Sequence, residues 1–177
     1  MEKKISGEMI FDGKVIKVYR DSVLLENGKT SVREVVRHKG AVCIAAIDEN
    51  DMVSVVTQYR YALGRELCEL PAGKLEEGEE PYSAAVRELR EETGLVSAKP
   101  LLPLGRIYSS VGFCDECIYL YLAEDVRFTA TDFDEDEFLT IKKVPFEKLC
   151  DMALSGEIED AKTVALILKI AAMRARN

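Results

Sequence analysis

The sequence predicts a mixed α/β fold, in which strands and helices form a sandwich that follows a small antiparallel β meander. Segments rich in β-branched and apolar residues fill the first 60 residues and recur after residue 100. Residues 81–94 instead show apolar residues at helical spacing, and two more helix-like segments follow residue 144. Because strands and helices of one domain must share a core, we expect helices to cover the sheet.

The first 40 residues form the predicted meander. They contain three strand-like segments, at residues 8–11, 15–25 and 30–36. Turn signals separate these segments at Asp12-Gly13 and at Asn27-Gly28. A sheet of this size is marginally stable alone. We therefore expect the meander to pack on something larger, and we place a boundary at residue 40, before a main domain at residues 41–177.

The main domain begins with a predicted strand pair, residues 41–47 and 52–59. The helix that follows begins at Pro81, because proline suits the first helical position. It ends just before Gly94, because glycine suits the residue after the last. Further strands are predicted at residues 101–108, 117–123 and 138–144, with an acidic loop at residues 132–137. Two helices follow, residues 145–155 and 161–174, and Asp160 caps the second.

Composition excludes several classes of protein. The 177 residues are 47% hydrophobic and 32% charged, which is typical of a globular domain and not of a disordered or fibrous chain. A formal net charge of −8 argues against a protein that holds nucleic acid through its phosphates. An acidic enzyme that acts on anionic substrates must recruit cations locally, and a divalent metal ion is the usual means.

No segment reaches the roughly 18 apolar residues of a membrane span, and residues 1–9 show no secretory pattern, so we expect a cytoplasmic protein with no membrane partner. The five cysteines are expected to be reduced thiols. Cys114 and Cys117 form one C-x-x-C, but a structural zinc site needs a second pair or histidines, and His38 is the only histidine. We therefore expect ordinary cysteines.

The candidate chemistry lies in residues 73–95, which read GKLEEGEEPYSAAVRELREETGL. Glu88, Glu91 and Glu92 are three and four residues apart, so their carboxylates share one helix face. Like charges at this spacing repel, and the cluster invites a divalent cation such as Mg²⁺, with Mn²⁺ as the alternative. Arg87 can orient a neighbouring carboxylate with its planar fork of donors. The alternative is a solvated acidic helix face.

The same segment resembles the Nudix box at every defining position. Its spacing is Gly73, five residues, Glu79, seven residues, Arg87-Glu88-Leu89, one residue, two glutamates, one residue and Gly94-Leu95. A chance match in such a chain has a probability on the order of one in ten million. The resemblance implies a Nudix-type α/β/α sandwich and a hydrolase of nucleoside diphosphates linked to another moiety. Glu79 is expected to tie the box loop to the helix.

Flanking segments resemble the ADP-ribose pyrophosphatase branch of that family. They are QYRY at residues 58–61, ELPAG at 69–73, YSSVGF at 108–113 followed by Asp115-Glu116, and DEDE at 134–137. The resemblance implies that the product pair is AMP and ribose 5-phosphate. It also implies metal binding by Glu88, Glu92, Glu91 and the carbonyl of Ala72.

The branch resemblance also implies a general base in the acidic loop. Glu137 matches best, and Glu135 is the alternative. Arg60 and Glu116 match positions that contact substrate, and an arginine suits a phosphate while a glutamate suits ribose hydroxyls. Each could instead be an ordinary surface residue.

The meander could fold back on the core of its own chain, or two chains could exchange it. The resemblance implies the second course, a homodimer with exchanged N-terminal strands. Tyr19, Arg33 and Arg37 would then meet the nucleotide bound by the partner, or they are ordinary strand residues.

One position departs from the branch. Its loop commonly carries Ser-Pro-Gly, whereas this chain has Ser110-Val111-Gly112. Losing the proline frees a backbone φ angle and can reshape the loop. Other nucleoside diphosphate sugars, NADH and FAD therefore stay open as substrates. A catalytically inactive nucleotide sensor is the alternative from another class, although such a protein would normally show losses in the box.

Overall fold

The structure is a computed structural model that describes residues 1–129 and 139–176. Its contacts divide the chain into two compact units. One contains Met1–Gly40 and Tyr108–Cys117, and the other contains Ala41–Ile107 and the described residues from Ile118 onward. None of the described helices is long and apolar enough to cross a membrane.

The first unit is built on an antiparallel meander. Its strands are β1 (Lys3–Asp12), β2 (Lys17–Leu24) and β3 (Thr30–Arg37), and β2 pairs with both neighbours. The 108–117 segment joins β3 through two backbone hydrogen bonds of Val36, which donates to the carbonyl of Phe113 (2.7 Å) and accepts from the amide of Asp115 (3.1 Å). The predicted meander is therefore confirmed, and β1 begins five residues earlier than the sequence indicated.

The second unit holds a mixed sheet with helices. Its elements are β4 (Ala41–Ile47), β5 (Met52–Arg60), β6 (Arg65–Glu69), β7 (Ala72–Lys74), α1 (Pro81–Thr93), β8 (Leu95–Ser97), β9 (Leu102–Tyr108), β10 (Cys117–Glu124), β11 (Val126–Phe128), β12 (Leu139–Pro145), α2 (Phe146–Ser155) and α3 (Ala161–Arg174). The main sheet has the order β12-β5-β4-β10-β9, with β6 paired to β5 and β7 paired to β4. Strands β4 and β10 run parallel, whereas β5 runs antiparallel to β4.

Strand β4 lies at the centre of two hydrophobic cores. All seven of its residues are buried. Ala41, Cys43, Ala45 and Ile47 pack on one face with residues of α2 and α3, among them Leu149 and Leu166. Val42, Ile44 and Ala46 pack on the other face with Ala84, Ala85 and Leu89 of α1. Because side chains alternate along a strand, a strand covered on both faces is apolar throughout. The expected sandwich is confirmed.

Local signals set the helix ends. Helix α1 has Pro81 in its first turn, and Gly94 ends it in the left-handed conformation with φ 68°, which favours glycine. The side chain of Asp160 accepts a hydrogen bond from the amide of Thr163 and so caps α3. The sequence missed the short strands β6, β7, β8 and β11, which have three to five residues and depend on their neighbours.

Candidate active site

Helix α1 carries the acidic cluster on the face that packs toward the sheet. Glu88 is 8% exposed and Glu92 is 3% exposed, while Glu91 is half-buried. These burials contradict a solvated acidic face, because charged side chains are rarely buried without partners. The bonds that each carboxylate makes show how the cluster is assembled.

Glu92 is joined to the strand that precedes the helix. The backbone amide of Ala72 donates to Oε2 of Glu92 at 2.9 Å. Ala72 itself is held in the sheet, where it pairs with Cys43 of β4. Two of the candidate metal-binding residues therefore lie side by side, although they are 20 positions apart in the chain.

Glu88 occupies the space beside Gly73. A Cβ atom placed on Gly73 would lie 1.9 Å from the Cδ and Oε1 atoms of Glu88 and 2.2 Å from its Oε2. These distances are shorter than any tolerated contact, so a side chain at position 73 and the present position of Glu88 exclude each other. The first glycine of the motif is thus required by the close approach of a carboxylate and not by its backbone angles, which lie outside the left-handed region.

Arg87 links the loop before α1 to the cluster. Its Nε and Nη2 donate to the two carboxylate oxygens of Glu79, both at 2.9 Å. Its Nη1 donates to Glu88 at 2.7 Å and to Glu91 at 3.0 Å. The bonds to Glu79, and then the neighbouring carboxylates, raise the pKa of Arg87 above its ordinary value, and the same pair lowers the pKa of Glu79. Glu79 also accepts from the amide of Glu76, which ties the loop to the helix.

The donor set fits a hard divalent cation. Carboxylate oxygens of Glu88, Glu91 and Glu92 and a backbone carbonyl of Ala72 are the oxygen ligands that Mg²⁺ and Mn²⁺ take. Over residues 1–129 and 139–176, no three histidine, cysteine, aspartate or glutamate side chains are arranged to hold a metal ion. Arg87 instead contacts two of the carboxylates, so binding of a cation requires their oxygens to shift toward it.

Arg60 belongs to an ionic network around a buried carboxylate. Its Nε and Nη2 donate to the two carboxylate oxygens of Glu69, at 2.6 and 2.7 Å. Glu69 is only 1% exposed and also pairs with Lys162. Burial raises the pKa of Glu69, but Arg60 and Lys162 outweigh burial, and the net pKa lies below its ordinary value. The sequence pointed to Arg60 as a phosphate contact and missed both its carboxylate partner and Lys162, which is 93 positions from Glu69.

The candidate substrate contacts other than Arg60 lie in the first unit. Arg37 donates to Asp115 at 2.9 Å, and the backbone amide of His38 donates to the same carboxylate at 2.8 Å. Burial raises the pKa of Asp115, but the hydrogen bonds from Arg37 and His38 lower it further, to below its ordinary value. Glu116 lies 3.5 Å from Nδ1 of His38. Arg37, at the end of β3, therefore lies beside the segment that contains Glu116.

Tyr19 and Arg33 are strand residues of the same unit. Tyr19 is half-buried, and its ring centroid lies 6.0 Å from the ammonium of Lys4. Arg33 pairs with Glu2. The two candidates for the general base, Glu137 and Glu135, lie outside the described residues. All five cysteines are free thiols, as expected.

Comparison with known proteins gives consistent matches over nearly the whole chain. A family model described as the NUDIX domain matches residues 36–167. An ADP-ribose pyrophosphatase of Bacillus subtilis (strain 168) is 45% identical over 168 residues, which cover 94% of this chain and 90% of that protein. A methanol dehydrogenase activator of Bacillus methanolicus is 42% identical over 168 residues, with coverages of 94% and 90%.

Among solved structures, a crystal structure of ADP compounds hydrolase matches with a TM-score of 0.84. The match covers 97% of this chain and 93% of that one, at 19% identity. At that identity the similarity shows the fold alone.

Proposed function

The chain belongs to the Nudix family of hydrolases, and from that membership we propose that it hydrolyses ADP-ribose to AMP and ribose 5-phosphate. The observation that carries the proposal is the 45% identity to an ADP-ribose pyrophosphatase over 94% of the chain. The intact box on α1 supports it, because a catalytically inactive nucleotide sensor would normally show losses in the box. Val111, which replaces the usual loop proline, is 85% exposed.

A substrate panel tests this proposal. The protein is incubated in Mg²⁺ with ADP-ribose, other nucleoside diphosphate sugars, NADH and FAD, and the products are separated by chromatography. We expect the highest kcat/KM for ADP-ribose, with AMP and ribose 5-phosphate in equal amounts. A higher kcat/KM for another compound would replace ADP-ribose as the substrate, and tight nucleotide binding without turnover would indicate a sensor.

Nudix hydrolases generally need a divalent metal ion, and for this chain we propose Mg²⁺, with Mn²⁺ as the alternative. The residues that would hold it are Ala72, through its carbonyl, and Glu88, Glu91 and Glu92. A bound cation would neutralise charge that develops on the diphosphate. Arg87 contacts Glu88 and Glu91 and would orient both carboxylates once their oxygens turn toward a bound cation.

Four further side chains are proposed to contact the substrate. Arg60 offers a guanidinium for a phosphate, and its half-exposed side chain is held in one orientation by Glu69. Glu116 is an acceptor for ribose hydroxyls. Tyr19 and Arg37 are proposed to meet the nucleotide bound by a partner subunit, as an aromatic surface and a cation respectively.

We propose that Glu137 is the general base and takes a proton from the attacking water. We expect Glu137→Gln to lower kcat by about 10²–10⁴-fold, the usual contribution of a positioned base, with little change in metal affinity. The matched variant Glu135→Gln removes the same charge two residues away and should leave kcat nearly unchanged. Steady-state kinetics with ADP-ribose at saturating Mg²⁺ measure both effects. The opposite ranking would assign the base to Glu135.

We also propose a homodimer in which the N-terminal strands are exchanged. All ten residues of β1 are exposed, including Ile5, Met9, Ile10 and Phe11. Met9 pairs with Tyr19 and Phe11 pairs with Val18, which are successive residues of β2. Because successive side chains of β2 point to opposite faces, Met9 and Phe11 present apolar groups to solvent on both faces of the meander. A second copy of the chain would cover them, and strand exchange is a low-cost route to a symmetric dimer.

Light scattering and a truncation test the dimer. We expect a mass near two chains at micromolar concentration, and a mass near one chain would exclude the dimer. Deleting residues 1–36 should abolish hydrolysis of ADP-ribose, because Tyr19 and the covering strands are lost. Circular dichroism of the truncated chain checks that the remaining domain is folded. A folded truncation with normal kcat/KM would show that the meander takes no part in the site.

The cytoplasm is the proposed location. It is supported by the five cysteines, all of which are free thiols, since disulfides form and persist in oxidising compartments.

A further inference from the structure

Residues 69–72, directly before the motif, are held by a different partner at each position. The carboxylate of Glu69 binds Arg60 and Lys162. The amide of Leu70 donates to Oγ1 of Thr163 at 2.8 Å. The next two residues are held by β4 and α1. The carbonyl of Pro71 accepts from the amide of Ile44 at 2.9 Å, and the amide of Ala72 donates to Glu92 at 2.9 Å.

Two of these four attachments come from the N-terminal end of α3, outside the Nudix motif. Thr163 and Leu70 are both 0% exposed, so the hydrogen bond between them is fully buried. Thr163 also donates to Oδ2 of Asp160 at 2.6 Å, which orients its hydroxyl so that a lone pair faces Leu70. Asp160 in turn pairs with Lys162 at 2.9 Å. The end of α3 is therefore one connected polar group.

The charges of this group balance. Glu69 and Asp160 carry two negative charges, and Arg60 and Lys162 carry two positive charges. Burial lowers the pKa of Lys162, but Asp160 and Glu69 outweigh burial and raise its pKa above the ordinary value, so Lys162 stays charged. A neutral network of this kind makes a rigid attachment, because displacement would leave the buried carboxylate of Glu69 without its cations.

We infer that Thr163 and Lys162 are positioning residues, which hold residues 69–72 from α3 so that Ala72 stays beside Glu92 for metal binding. The inference rests on the proposed metal site. Thr163 reaches that site through Leu70, two residues before the carbonyl that is assigned to the metal. Residues that orient metal ligands without touching the ion typically change metal affinity by 10–100-fold. The same size of effect is expected here.

The test measures the affinity of the full chain for Mn²⁺ in the absence of substrate, by electron paramagnetic resonance. Thr163→Val has nearly the shape of threonine and removes the hydroxyl that receives the Leu70 amide. We expect it to weaken Mn²⁺ binding about tenfold. Thr163→Ser restores the hydroxyl and should restore the affinity. The matched control is Ile170→Val, a buried position two turns further along α3, which should bind Mn²⁺ as the wild type does.

Kinetics with ADP-ribose give a second measurement. Because positioning acts through metal affinity, the activity of Thr163→Val should be low at limiting Mn²⁺ and return toward the wild-type kcat at saturating Mn²⁺. A purely structural role predicts wild-type Mn²⁺ affinity for folded Thr163→Val, or an equal loss in Ile170→Val, and either result would overturn the inference. If circular dichroism shows that Thr163→Val does not fold, Lys162→Gln takes its place with the same expectations.

The inference and the proposed function fail in different ways. A wild-type protein that binds Mn²⁺ without hydrolysing ADP-ribose would contradict the function and leave the comparison of variants intact. A wild-type protein that hydrolyses ADP-ribose, with Thr163→Val matching its Mn²⁺ affinity, would contradict the positioning role alone.

Discussion

Replacing Glu92 by glutamine is expected to lower kcat for ADP-ribose by more than about 100-fold. Mutation of a residue that only orients a metal ligand typically lowers metal affinity or activity 10–100-fold, and Glu92 is proposed to bind the metal itself. The change keeps the shape of the side chain. Its amide oxygen can still accept from the amide of Ala72, which now donates to Oε2 of Glu92 at 2.9 Å. The backbone contact should therefore survive while the negative charge is lost.

The measurement is kcat as a function of Mg²⁺ concentration, with thermal unfolding followed by circular dichroism. The matched control is Glu77→Gln, the same change of charge at an exposed loop position. We expect Glu77→Gln to retain the wild-type kcat and both variants to remain folded. A kcat for Glu92→Gln close to that of the wild type at saturating Mg²⁺ would remove Glu92 from the metal site.

Replacing Gly73 by alanine is the second change with a large expected effect. Its Cβ would lie 1.9 Å from Cδ and Oε1 of Glu88, so the carboxylate must leave its position. That displacement also breaks the 2.7 Å bond from Arg87 to Glu88. Because a displaced ligand no longer contributes charge at the site, we expect a loss in kcat/KM of more than about 100-fold and weaker Mn²⁺ binding.

Gly156→Ala separates this effect from general strain. Gly156 ends α2 with φ 82°, and a Cβ there would meet no atom within 4 Å. Alanine at that position costs about 1–2 kcal/mol of stability, because a Cβ atom strains the left-handed backbone. We expect Gly156→Ala to lower the unfolding temperature and keep the wild-type kcat/KM. If Gly73→Ala merely matched Gly156→Ala in both measurements, the close approach of Glu88 would not matter for catalysis.

Residue patterns predicted the elements whose signals are local. Pro81, the helical spacing of apolar residues and Gly94 marked α1 with its observed ends. Strand β4 shows no alternation of buried and exposed residues, but its unbroken apolar run indicated a strand. The structure explains the run, because both faces of β4 are covered. The shared face of Glu88, Glu91 and Glu92 followed from the helical period alone. Each of these features depends on residues of one helix or one strand and the positions that flank it.

Such patterns did not predict the features that join distant segments of the chain. The buried hydrogen bond between Leu70 and Thr163 and the pairing of Glu69 with Lys162 each span 93 positions. Arg60 carried a signal for phosphate binding, but nothing in its neighbourhood indicated that Glu69 would accept from its Nε and Nη2. The short strands β6 and β7 depend on pairing with β5 and β4, and three to five residues carry too little pattern to predict that pairing.

The sequence by itself determined the family motif, the helix that carries it and the three carboxylates on one face, because all of these follow from spacing along the chain. Only the tertiary structure decided which backbone lies against that face. It brings Ala72 to Glu92 and leaves the space beside Gly73 for Glu88. The physical reason is that β7 pairs with β4 within the sheet, while α1 packs on one face of β4. Sheet pairing and core packing together place β7 directly beside the helix.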